Sequence, residues 1–132
     1  MVAEPELLLL GAAIAVGLVQ LMWAAAAARR QQDLKWAAGA RDEAMPISGV
    51  AARLDRAFRN FMETFPLFAA AVLAVVIAGK AGDLSLWGSA LYVVCRALYA
   101  PIYAAGTYMI RSLVWTLSLA GIVMVVAALF LA

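Results

Sequence analysis

The chain has 132 residues, of which 67% are apolar and only 14% charged, and its mean hydropathy is +0.96; soluble domains run at about 45–50% apolar and about 25% charged. One small core cannot hide that much apolar surface, which excludes a soluble enzyme, a disordered tail and a free-standing nucleic-acid-binding module. The net charge is only +2 and there is no histidine, so imidazole base catalysis and the usual zinc and haem sites are excluded as well, and the single Cys95 can form neither an intrachain disulfide nor a four-cysteine metal site.

The first predicted element covers residues 7–28, which carry no charge and only Gln20 as a strongly polar side chain. Its length fits a membrane-spanning helix, and the run Ala24–Ala28 favours close helix contact. Glu4 and Glu6 stand where a signal peptide carries a basic segment, so a retained span is expected rather than a cleaved leader. Next comes a polar connection: 12 of the 18 charges lie between Arg29 and Glu63. Pro46 and Ser48 read as a loop end and a helix N-cap. A helix from Gly49 to Gly79 would be about 46 Å long at about 1.5 Å per residue, more than the roughly 30 Å of hydrocarbon. Only its later part, residues 60–79, is expected to span, with its first turns projecting out of the bilayer. Residues 86–106, with Arg96 as their one charge, and residues 112–131, with none, complete a set of four spans. Pro66 and Pro101 are expected kink points.

These elements predict an all-α membrane protein, a four-transmembrane-helix bundle in one domain over residues 1–132. The first connection holds Arg29, Arg30, Lys35, Arg41, Arg53, Arg56 and Arg59, whereas the second holds only Lys80. The positive-inside rule then puts the 29–58 connection in the cytoplasm and both termini outside.

Polar residues gather on two helices. Arg53, Arg56, Arg59, Asn60 and Glu63 fall within an arc of about 120° on a helical wheel. A solvated, self-paired face is one reading, with Arg59 and Glu63 as i,i+4 partners; a functional face is the other, since Asn60 and Glu63 enter the apolar run. On the third span, Tyr92, Arg96, Tyr99 and Tyr103 share an arc of about 60°. An arginine at that depth costs at least about 2.5–3.5 kcal/mol, which an Arg96–Glu63 ion pair, trapped water or an anionic ligand must offset. Arg111, with Trp115 one turn on, opens the fourth span at the same membrane side and reads as an end anchor or as part of a shared polar pocket. Several arginines, one carboxylate, an amide and two phenols suit a small zwitterion with an excess of negative groups, and an arginine near a thiol favours the nucleophilic thiolate.

The run Arg53-Leu-Asp-Arg56-Ala-Phe-Arg59-Asn60-Phe-Met-Glu63-Thr-Phe-Pro66 resembles the second-helix signature of the MAPEG family, the membrane-associated proteins of eicosanoid and glutathione metabolism. Arg96, Tyr99 and Tyr103, and then Arg111-Ser112-Leu-Val-Trp115-Thr116, match in the same order, and Arg41-Asp42-Glu43 followed by Pro46 is similar to a prokaryotic branch. The resemblance implies a homotrimer in a bacterial inner membrane, with glutathione as co-substrate between neighbouring subunits on the cytoplasmic side and no metal. It implies that Arg56, Arg59, Asn60, Glu63, Arg96, Tyr99 and Tyr103 contact glutathione and that Arg111 stabilises its thiolate. Tyr99 is similar to the leukotriene-synthase-like branch; the prostaglandin-synthase-like branch has histidine there.

The expected function is therefore a glutathione-dependent transferase or peroxidase acting on a lipophilic electrophile that arrives from the bilayer. Two other readings stay open on the residues alone. One is a non-catalytic membrane oligomer whose polar groups form an inter-helix network, and the other is a small exporter, for which Glu63 is a poor midplane carboxylate.

Overall fold

The leucine- and alanine-rich opening run has nothing to interrupt a helix, and Pro5 occupies a first-turn position where its missing N–H costs nothing. In the computed structural model, which describes residues 4–132, this run is helix α1 (Pro5–Arg29). A one-turn helix α2 (Leu34–Ala38) follows in the polar connection, then the long helices α3 (Gly49–Ile77), α4 (Asp83–Ala104) and α5 (Met109–Leu131). Among the described residues the secondary structure is entirely helical.

Residues 7–28 and 112–131 lie wholly within α1 and α5, whereas the stretches 60–79 and 86–106 each run two residues past the ends of α3 and α4, at Ile77 and Ala104. The third span starts earlier than expected, at Asp83, because the Ser85 hydroxyl caps the backbone N–H of Gly82 at 2.9 Å. By length and hydropathy α1, α3 and α5 are long and apolar enough to cross a membrane. The 22-residue α4 falls short on that measure because its inner face carries Ser85, Ser89, Tyr92, Arg96 and Tyr99. Pro66 and Pro101 both lie inside helices that continue past them. Ser48 does sit at the N-cap of α3, but its side chain makes no capping bond. Its backbone pairs instead with the Gln31 amide, which accepts from Ser48 N at 2.9 Å and donates to Ser48 O at 3.0 Å. That pair fastens the end of α1 to the start of α3, and α2 was not anticipated.

Helices α3 and α4 occupy the middle of the bundle: each packs against the other, and both contact α1 and α5. The α4–α5 interface is the most extensive, for a reason visible at Gly88 and Gly121. A Cβ at Gly121 would lie 2.6 Å from the Gly88 carbonyl and 2.9 Å from Tyr92 N, and a Cβ at Gly88 would lie 2.7 Å from the Gly121 carbonyl. The two backbones touch, the arrangement by which small residues hold helices together in lipid. Alongside, Phe68 stacks on Tyr92 with ring centroids 4.1 Å apart, within a core that includes Val72, Val75 and Val125. Large apolar side chains such as Leu8, Leu18, Met22, Ile77, Val123 and Phe130 point outward, an arrangement suited to lipid rather than water.

Candidate functional site

The amphipathic first half of α3, the last turns of α4 and the first turn of α5 meet at the bundle end that also carries the α1–α3 connection. There they enclose an open cavity of about 210 Å³ lined by Arg56, Arg59, Asn60 and Glu63 from α3, Tyr99 and Tyr103 from α4, and Arg111 from α5. Behind it the buried Ala57, Cys95, Tyr99, Ala100 and Val114 form a small apolar cluster that fixes the three helices against one another.

Seven of the eight residues singled out from the sequence thus line one cavity. Tyr103 is the hub of its cationic wall. Its hydroxyl accepts from Arg56 Nε at 3.1 Å, the Arg111 guanidinium lies over its ring at 4.7 Å, and Tyr99 meets it edge-on at 5.6 Å. Stacking on a phenol holds a guanidinium in place while leaving N–H donors free. Arg53 lies just outside and donates from Nε to the Ala104 carbonyl at 3.1 Å, capping the end of α4.

The eighth residue, Arg96, is not a lining residue. It is fully buried at 0% exposure, its guanidinium packed 4.2 Å over the Tyr99 ring. Its Nη1 donates to Asn60 Oδ1 at 2.9 Å, so the Asn60 oxygen is taken and its NH2 group is the atom set available to the cavity. The nitrogens Nε and Nη2 of Arg96 have no partner among the described residues. The Arg96–Glu63 ion pair considered from the sequence is not formed: among the described residues the only salt bridge is Arg59–Asp55, at 3.0 Å. Arg59 therefore pairs one turn toward the N-terminus and not with Glu63, in the order (acid before base) that is the stronger on a helix. Glu63 is left exposed, its carboxylate without a cationic partner on the described chain.

Sequence reasoning missed two participants. Asp55 sits inside the quoted motif, and its i,i+4 spacing to Arg59 was the available signal. Gln20 was the one polar side chain in the first span; its Nε2 donates to the Arg96 backbone carbonyl at 3.1 Å, tying α1 to α4 beside the buried guanidinium.

A helical bundle with lipid-compatible outer faces and a cationic cavity at one end defines an integral membrane protein. The MAPEG family model matches residues 7–131. The chain belongs to the MAPEG family, whose members generally use glutathione and carry out membrane glutathione-related transferase, peroxidase or related reactions. No curated protein and no solved structure gives a significant match.

Proposed function

We propose that the protein is a glutathione-dependent transferase or peroxidase acting on a lipophilic electrophile taken from the bilayer. The observation that carries this reading is the convergence of Arg56, Arg59, Asn60, Glu63, Tyr99, Tyr103 and Arg111 on one cavity. Glutathione supplies two carboxylates, an ammonium, two peptide groups and the reacting thiol, and each has a counterpart in that set. Arg56 and Arg59 fork onto carboxylates, Glu63 takes the ammonium, and the Asn60 NH2, aimed by Arg96, donates to a carbonyl or carboxylate. Arg111, stacked on Tyr103 and without an acidic partner among the described residues, lies at the cavity's α5 edge and favours the thiolate.

At about 210 Å³ the cavity is smaller than the roughly 300–1,000 Å³ of most small-molecule sites, and it is open on one side. A neighbouring copy supplying the missing wall accounts for both features, so we assign the working form as a homotrimer of four-span subunits. The positive charge of the 29–58 connection supports a cytoplasmic cavity in a bacterial inner membrane.

The test is conjugation of chlorodinitrobenzene by purified protein in detergent. Wild type should turn over, and Arg111→Ala should lower turnover about a hundredfold, the scale of losing one preorganised charge-stabilising donor, with thiol binding retained. Equal turnover in the two proteins would remove Arg111 from the role.

A further inference from the structure

On the side of α4 turned away from the polar cavity, α1 and α4 leave an open groove of about 270 Å³ lined by Ala15, Val16, Val19, Gln20, Trp23, Ala97, Ala100 and Pro101. Every lining side chain is apolar except Gln20 and the indole N–H of Trp23 at the rim. Gln20 is 4% exposed. It lies nine residues before the end of α1, about 14 Å along the helix axis, which places it at hydrocarbon depth where water is scarce.

The orientation of its amide is fixed by chemistry. The Arg96 backbone carbonyl is an acceptor, so the Gln20 nitrogen must face it. The atom left over is Oε1, a buried acceptor with no partner. Buried polar atoms are nearly always satisfied, and apart from Gln20 the groove's walls are alanine, valine, proline and one tryptophan, which offer fewer polar partners than the roughly three that a buried water usually holds. The groove therefore matches a molecule with an apolar body and one hydrogen-bond donor.

We propose that the α1–α4 groove binds a bilayer-dissolved lipid bearing a free hydroxyl, its chain lying along Ala15, Val16, Val19 and Ala97 and its O–H donating to Gln20 Oε1. This site stands apart from the glutathione reading, because α4 separates it from the cavity and no residue lines both.

The test uses full-length protein in lipid nanodiscs and a photoactivatable hexadecanol, with labelled residues mapped by mass spectrometry. Labelling should concentrate on α1 residues 15–23 and α4 residues 97–101. Unlabelled hexadecanol should compete about five- to tenfold better than its methyl ether, the worth of one hydrogen bond, and Gln20→Leu should abolish that preference while leaving the ether's competition unchanged. The alcohol-against-ether comparison on wild type stands even if the variant does not fold. Equal competition by alcohol and ether would overturn the proposal in favour of an ordinary acyl chain. Labelling absent from the groove in assembled protein, but present once copies are dissociated, would overturn it in favour of a second copy covering the face.

Discussion

The two halves of the bundle solve opposite problems with the same helices. In the half away from the α1–α3 connection, α4 and α5 approach until the Gly88 and Gly121 backbones touch, Phe68 stacks on Tyr92, and the Tyr92 and Thr64 hydroxyls satisfy each other at 2.9 Å. In the other half, α3, α4 and α5 part around a cavity where Arg56 and Arg111 are held by the Tyr103 phenol and only Arg59 pairs with a carboxylate, that of Asp55. Close packing is what stabilises helices in lipid, where the hydrophobic effect contributes nothing between them. The dry half can therefore supply the cohesion that lets the wet half keep cations without acidic partners, an arrangement that is costly alone.

The contrast predicts that substitutions in the dry half change stability and those in the wet half change binding. Gly121→Leu is the severest case. With a Cβ already 2.6 Å from the Gly88 carbonyl, a larger side chain meets backbone on both sides, and the α4–α5 interface has to separate. A loss of about 3 kcal/mol or more is expected, read as failure to yield a folded, monodisperse species in detergent. A Gly121→Leu protein that melts like wild type would break the comparison at its firm end.

Arg96→Leu probes the boundary between the halves. It removes a buried charge with two unpartnered nitrogens, so the melting temperature should hold or rise. It also frees the Asn60 amide to rotate, and glutathione affinity should fall about tenfold through the lost donor alignment. The KM for thiol should rise with kcat largely kept, a split that a purely structural role would not produce. Smaller still is Arg59→Ala. Its pair with Asp55 is solvent-exposed, at 74% and 42% side-chain exposure, so stability should change by less than about 1 kcal/mol. Thiol affinity should drop a few-fold, and the dependence of binding on salt should flatten because one cation no longer contributes.

The elements were legible in the sequence because unbroken apolar runs of membrane length leave the chain few alternatives, and the long α3 could be read from Ser48 to its apolar end. The polar arcs of α3 and α4 were legible for the same reason: helical spacing alone puts Arg56, Asn60 and Glu63 on one face and Arg96, Tyr99 and Tyr103 on the other. Depth and partner choice were not. Spacing allows Arg59 to pair with either Glu63 or Asp55, and only the packed structure selects Asp55. Likewise, nothing in the spacing says that Arg96 turns inward to hold Asn60 while Arg111 turns onto Tyr103. Gln20 went unused for a related reason, since its partner is a backbone carbonyl 76 residues away, and backbone partners leave no pattern in side-chain identity.

Titration calorimetry of glutathione into the purified, folded protein tests the central claim most directly, that the cationic cavity exists to grip a small anionic thiol. Saturable binding is expected, weakened about tenfold or more by Asn60→Ala and by Arg56→Ala, each of which removes a charge-assisted or aligned donor. No binding heat from well-folded protein, or binding indifferent to both substitutions, would contradict it.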